Sequence, residues 1–345
     1  MSHARPPTLQ DIAQKARVSG ATVSLALRGH PSIPEATRRR IQDVARQLGY
    51  FPNPLVTALM AHVRRSRKTC STLTIAYITS WNDQRAWRER PVYEFFVGAS
   101  ERAGQLGYNL EAFSSREREM TGARLSKVLL TRNIHGLILE PIPYFRTKGH
   151  LSMHWSQFAC VVIGFTLPKP DLHRVGPNDY ANTRLALRSL YRLGYQRVGL
   201  AMRLQDDSRV DRRCTSAYLG YQQDLPPTKQ LPPLIPNRLT ERNVMAWFRK
   251  YRPDAVLTNE QLIPGWLGHA GLRVPRDVGV AHPNLPRESQ TLAGINSRAR
   301  SVGAVAMDLV EAQLHRNERG IPAEPRLVLV EGTWCNGTSI RSKSS

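Results

Sequence analysis

The run from Thr8 to Leu27, Thr-Leu-Gln-Asp-Ile-Ala-Gln-Lys-Ala-Arg-Val-Ser-Gly-Ala-Thr-Val-Ser-Leu-Ala-Leu, carries short hydroxyl and amide side chains on a helical apolar frame. Its chemistry is that of recognition rather than bond cleavage. Ile12, Ala13 and Ala16 recur at helical spacing, and Val23 with Leu27 repeats that spacing after a break at Arg17-Val18. Ser19 stands where an N-cap hydroxyl takes up a free backbone N–H of the second helix. Small residues at Ala13 and Ala16 let two helices cross closely and steeply. A helix-turn-helix needs that crossing to set its second helix in a major groove, although a plain αα-hairpin would show the same pattern.

Other chemistry is not indicated. The chain has no GxGxxG after a strand, no phosphate-binding loop, no HExxH and no nucleophile elbow. His150, His154 and His173 fall on expected loops, and there is no carboxylate cluster of the kind a metal-dependent nuclease needs. Cys70, Cys160, Cys214 and Cys335 lie far apart without CxxC spacing, which suits reduced thiols rather than zinc or disulfides. The reading is no enzyme, no cofactor and no metal.

The charge points to a polyanion. The 345 residues carry a net charge of +22, unevenly spread: residues 1–70 hold twelve Lys and Arg against Asp11, Glu35 and Asp43. The 41% apolar content suits a globular chain, and no apolar run approaches the ~18 residues of a membrane span. Met1 to Pro7 is polar, so a cytoplasmic location is expected.

These residues must be positioned by a small amino-terminal unit and a larger body. A Gly- and Pro-punctuated loop, Arg28 to Pro34, leads to a third helix over Pro34–Leu48, with Ile41, Val44, Ala45 and Leu48 as its buried face. Arg38, Arg39, Arg40 and Arg46 are left on faces able to reach phosphates. Asn53 can cap a short helix over Pro54–His62, followed by the basic linker Arg64–Lys68. From Thr72 onward, short apolar runs alternate with helical periodicity. Strands are expected at 72–79, 108–113, 136–140, 158–164, 197–202, 254–258 and 278–282. Helices are expected at 93–106, 123–132, 181–193, 213–224 and 241–251. That alternation predicts parallel, doubly wound sheets. The domains are therefore 1–52, a helix-turn-helix headpiece; 53–71, hinge helix and linker; and 72–341, a two-lobed α/β body.

Several motifs in one order carry a resemblance: Thr8-Leu-x-Asp-Ile-Ala, Ala16-x-Val-Ser-x-x-Thr-Val-Ser24, Thr37-Arg38 with Ile41, and Leu48-Gly-Tyr-x-Pro-Asn53. Together they resemble the headpiece of the lactose-repressor/galactose-repressor (LacI/GalR) family of bacterial transcription regulators. In the body, Gly107-Tyr108, Gly194-Tyr195, Gly294-Ile-Asn, Gly303-x-x-Ala306 and Leu329-Val-Glu-Gly-Thr-Trp resemble that family's periplasmic-binding-protein-like regulatory domain.

The resemblance implies a recognition helix whose base-reading positions fall on Gly20, Ala21 and Leu25. Relatives often carry a large polar residue at the second and an Arg at the third. Leu25 cannot hydrogen-bond a base, so readout is expected to shift to Thr22, Ser24, Arg28 and the hinge, or to DNA shape. Arg17 stands where relatives often have Gly, at a cost of about 1 kcal/mol if the turn is left-handed. It is then placed for a phosphate. Leu59 maps to the apolar wedge of the hinge in the minor groove. Thr8, Ser19, Arg38 and Asn53 complete the implied DNA contacts. In the cleft between lobes, the implied effector residues are Arg213, Asn259 and Asn284, the last standing where relatives have an acid. The implied function is a homodimeric transcriptional repressor, or activator, on a near-palindromic operator, with affinity modulated by a sugar-type effector. A sugar-binding component without a DNA role would share the body but not the basic headpiece. The tail Arg341–Ser345 shows no heptad repeat for a tetramer.

Overall fold

The computed structural model describes residues 9–27, 32–48, 50, 73–142, 151–285 and 291–342, with the side chains of Leu9, Ala21 and Ser24 outside the description. Thr8, Arg28, Asn53, Leu59, the expected hinge helix and His150 lie outside the described residues.

The headpiece is three helices: α1 (Leu9–Ala16), α2 (Gly20–Leu27) and α3 (Glu35–Gln47). Ile12, Ala13, Ala16, Val23, Ala26, Ile33, Ile41 and Ala45 form its core. Four of these eight are alanines. The helices therefore approach closely, but little apolar area is buried, and a core this small is marginal by itself.

The body is two sheets in two lobes. In chain order its elements are β1 (Thr74–Thr79), α4 (Gln84–Arg88), α5 (Tyr93–Leu106), β2 (Asn109–Ser114), α6 (Gly122–Thr131), β3 (Gly136–Leu139), β4 (Ala159–Ile163) and β5 (His173–Pro177). There follow α7 (Asp179–Arg192), β6 (Val198–Ala201), α8 (Leu204–Arg209), α9 (Arg213–Gln223), α10 (Glu241–Tyr251), β7 (Ala255–Thr258), α11 (Ile263–His269) and β8 (Gly279–His282). The chain closes with β9 (Ala293–Asn296), α12 (Ala299–Arg316), β10 (Leu327–Val330) and β11 (Thr333–Cys335). The first lobe is an all-parallel sheet in the order β10-β5-β4-β3-β1-β2. The second is β11-β9-β8-β7-β6, parallel except for the pair β11–β9.

The central strands β1, β3, β4 and β7 read as largely apolar runs because both faces are covered. In β1, Ile75 and Tyr77 face α5 and α12, while Ala76 and Ile78 face α6. The second lobe does the same, with Leu200 and Leu257 on one layer and Ala201 and Val256 on the other. The α5–α12 packing depends on two glycines in close backbone contact. A Cβ on Gly98 would lie 1.9 Å from the Arg300 carbonyl oxygen, and one on Gly303 would lie 1.9 Å from that of Phe95.

The chain passes between lobes three times, at 178, 297–298 and 331–332. Asn178 caps α7 by accepting from the Ala181 N–H at 3.1 Å and donates its own N–H to the Val330 carbonyl at 2.8 Å. The buried Asn182 accepts from the Gly332 N–H at 2.8 Å. The first and third crossings are thus laced to one helix, a hinge that can bend without fraying.

The expected elements stand within two residues of their predicted ends. The sequence pattern misses β5, because His-Arg-Val-Gly-Pro has no apolar run. Its strand form comes from pairing on both sides, to β4 and β10. It also misses α4, α8 and α11, each under eight residues and too short to show a period, and it assigns nothing after residue 282, where β9, α12, β10 and β11 follow. His173 is a correction: it sits in β5, buried, with Nδ1 accepting from the Arg326 N–H at 3.0 Å, rather than on a surface loop.

Candidate DNA-reading headpiece and effector cleft

The turn between α1 and α2 has the left-handed backbone that the sequence leaves open. Arg17 has φ +52°, and the Val18 N–H bonds the Ala13 carbonyl at 3.0 Å. Ser19 caps α2 as expected. Its Oγ accepts from the Thr22 N–H at 3.1 Å and lies 2.8 Å from Thr22 Oγ1. Gly20 is exposed, with nothing within 4 Å of the position a Cβ would take. Thr22 is half buried. Leu25, implied as a base reader, is also half buried and packs against the headpiece core. Part of its apolar surface is therefore committed to holding α2 in place.

The arginines of α3 divide. Arg38 is half buried and turns inward, Nη2 donating to the Ile33 carbonyl at 3.3 Å, so it braces the loop before α3. Arg39 pairs with Glu35 and Arg46 with Asp43, each within its own helix and exposed. Such pairs contribute about 0.3–0.5 kcal/mol and yield readily to a phosphate. Arg17 and Arg40 are exposed and, among the described residues, face no acid.

In the body, a cavity of about 750 Å³ opens between the lobes beside the crossings. Its walls come from α5, the loops after β4 and β8, the starts of α7 and α12, and the end of α8. The volume falls in the range of small-ligand sites. Asn284 lines it, as the resemblance implies. Arg213 does not line it directly. Its guanidinium stacks 4.3 Å over the Phe165 ring, which does, and so links the second lobe to the first. Its Asp211 partner is distant, at 3.8 Å, and its Nε is buried without a partner. Asn259 is not among the residues that line the cavity. Its Nδ2 donates to Asp206 Oδ2 at 2.9 Å, and its buried Oδ1 has no hydrogen-bond partner.

Three buried groups of the body are electrostatically unusual, and one of them, Asp179, lines the cavity. Asp179, buried at the start of α7 and lining the cavity, is pushed up to about 7 by desolvation against the opposing pull of Arg213. His282 at the end of β8 is driven down to about 4 by burial. The Asn284 N–H donates to its Nδ1 at 3.0 Å, so the neutral ring carries its proton on Nε2. Glu140, at the end of β3, is raised to about 7 by burial and receives the Trp87 Nε1–H at 2.6 Å. Sequence reasoning singled out none of the three. It also passed over Arg209, Arg298 and Phe165, whose flanking residues give no periodic or motif signal.

Among the described residues, no group of three His, Cys, Asp or Glu could hold a metal, and no helix is long and apolar enough to cross a membrane.

Comparison with known proteins agrees with this architecture. Residues 8–53 match the family of bacterial regulatory proteins, lacI family, and residues 187–340 match the periplasmic binding protein-like domain. An HTH-type transcriptional regulator of Lachnoclostridium phytofermentans is 21% identical over 286 residues, 79% of this chain and 81% of its own. The HTH-type transcriptional repressor CytR of Escherichia coli K12 is 48% identical over 195 residues, 56% of this chain. The chain spans about half the length of that relative, 52%. Among solved structures, the Lac repressor dimer bound to operator and the anti-inducer ONPF superposes with a TM-score of 0.57 at 19% identity, covering 97% of this chain and 99% of that one. The transcriptional regulator CelR in complex with cellobiose gives 0.52 at 20% identity, covering 96% and 99%. The chain thus carries a helix-turn-helix domain that matches the lacI family of bacterial regulatory proteins, joined to a periplasmic-binding-protein-like body.

Proposed function

We propose that the chain is a cytoplasmic, homodimeric repressor that binds a near-palindromic operator and releases or grips it according to a small effector in the interlobe cleft. The observation that carries this reading is the pairing of two devices in one chain. One is a capped α2 with Gly20 exposed and Thr22 half exposed, in a headpiece whose exposed Arg17 and Arg40 pair with no acid among the described residues. The other is a cavity whose walls belong to both lobes and whose hinge strands lead to both.

Two subunits joined through their bodies set two recognition helices one half-site apart, so the operator mirrors the two-fold axis. Thr22, with Gly20, Ala21, Ser24 and Leu25, faces base edges. Thr8, Arg17, Ser19, Arg28, Arg38 and Asn53 hold the backbone, and Leu59 is the wedge in the minor groove. Arg38 acts here through the loop it braces as much as through charge. An effector that binds one lobe arrangement better shifts the population and changes operator affinity reciprocally. Asn284 is its direct contact, with Arg213 acting through Phe165. The CelR–cellobiose complex and the Lac repressor dimer bound to operator and ONPF support a small ligand of sugar type and a dimer.

Selection of bound sites from random duplex DNA tests the reading. A two-fold symmetric site is expected, with a protein dimer protecting both halves in a footprint. A single asymmetric half-site bound by a monomer would overturn it.

A further inference from the structure

The cleft holds more positive charge than it can neutralise. Arg300 is accounted for, since it pairs with Glu94 at 2.6 Å and with Glu101 at 3.2 Å. Arg209 and Arg298 also line the cavity, and neither has a side-chain partner among the described residues. Arg209 is the more telling of the two. It is half buried at the end of α8, and burial pulls its guanidinium below its usual range. The acid whose charge acts on it, Asp206, already receives Arg203 Nε at 2.8 Å and Asn259 Nδ2 at 2.9 Å. A guanidinium taken partly out of water beside an open cavity, with its local carboxylate spoken for, is a site for an anion.

Among the described lining residues, the acid outside the Arg300 pair is Asp179, and at about 7 its carboxyl is only partly ionised near neutral pH, so it offsets this charge only in part. Asp179 is buried, and its carboxyl holds a proton far more readily than an exposed one. In that form it donates to a hydroxyl or accepts from one. Thr166 Oγ1, buried and without a partner, lines the same cavity, as do Asn284 and Asn336.

We propose that the effector is an anionic polyhydroxyl compound, a sugar phosphate or a sugar acid, with its charged group on Arg209 and Arg298 and its hydroxyls toward Asp179 and Thr166. This rests on the reading of the cleft as the effector site. It replaces a neutral sugar with a charged one.

The test is thermal unfolding of the full chain in sodium phosphate against sodium chloride at equal ionic strength. The headpiece also attracts phosphate, so the readout is the difference between wild type and the Arg209→Gln/Arg298→Gln double variant. Arg249→Gln, which removes an exposed charge from α10 outside the cavity, serves as control. Unfolding in chloride alone reports whether each variant folds, and Arg209→Lys supplies a milder second variant. Wild type and Arg249→Gln are expected to gain stability in phosphate, with at least tenfold weaker half-saturation in the double variant. An identical phosphate response in all the proteins would overturn the proposal.

Glucose 6-phosphate, gluconate and glucose then separate the sources. Stronger stabilisation by the first assigns a phosphate, and stronger stabilisation by the second a carboxylate. Stabilisation by glucose alone would overturn the proposal. Site selection on the same preparation keeps the two readings apart. A palindromic site without a phosphate difference sinks the anionic effector and leaves the regulator standing. The converse sinks the operator reading alone.

Discussion

In the headpiece, Arg39 and Arg46 stand on the surface beside carboxylates one helical turn away, and Arg17 and Arg40 face solvent. At the cleft, Arg209 is half buried and shares the field of Asp206 with Arg203 and Asn259, and Arg213, which does not line it, lies on Phe165 with a buried, unpartnered Nε. The same side chain thus serves two different jobs. Exposed arginines act through a long-range field on a partner with many repeating charges, and each contributes little alone. Half-buried arginines act at short range on one group, where the lower dielectric makes each contact count. The cores that hold them differ in the same sense. The headpiece core is half alanine, while each lobe buries both faces of a sheet. Tolerance to substitution should therefore follow the region.

The largest expected effect is on the body. Gly303→Ala sets a Cβ 1.9 Å from the Phe95 carbonyl oxygen, so α5 and α12 must separate. A loss of roughly 3 kcal/mol or more is expected in denaturant unfolding of the full chain, at the strong end of overpacking. Gly20→Ala in the headpiece meets only open space and should leave that stability within about 0.5 kcal/mol. Equal losses at the two sites would erase the contrast.

Next in size is a pH effect confined to the first lobe. Glu140 holds its proton up to about 7 in the folded chain, against 4.5 when exposed. Between those values the folded state binds the proton that the unfolded state has lost, so stability falls as pH rises from 4.5 to 7. Glu140→Gln keeps an acceptor for Trp87 Nε1 and removes the penalty. Relative to wild type it should gain roughly 3 kcal/mol at pH 8 and nothing at pH 4. His282 works in the opposite direction, its contribution being lost as pH falls from 6.5 toward 4. A pH-independent effect of Glu140→Gln would show that its carboxyl is not desolvated.

A smaller change separates charge from fold in the headpiece. Ser19→Ala removes the cap on α2 and should cost about 1 kcal/mol of headpiece stability, read from amide exchange in α2. Arg40→Ala leaves packing alone and should flatten the salt dependence of DNA binding by about one unit of log–log slope. Arg38→Ala sharpens the comparison, because losing its bond to the Ile33 carbonyl should loosen the headpiece as well as weaken binding.

The headpiece was legible in the sequence because its signals are local. Helix spacing, the Ser19 cap, and the crossing of Ala13 and Ala16 all act within a few turns of one another. The alternating body was legible for the same reason, down to strand ends within two residues. β5 was not, because its strand form depends on neighbours far away in the chain. The cleft was legible only in outline. Asn284 is where the resemblance implies, whereas Asn259 is turned onto Asp206 and Arg213 works through Phe165.

The stretch from Leu9 to Leu27 owes its helical spacing and its Ser19 cap to its own residues, whereas the left-handed backbone at Arg17 is set by the fold. Tertiary structure alone also decided which charges are satisfied. Arg38, Arg39 and Arg46 look alike in sequence, yet one braces a loop and two pair with acids. Arg209 lies in the charged run from Arg203 to Arg213, and only the packing around it takes part of its water away. Charge is written locally, but desolvation is a property of everything packed around it.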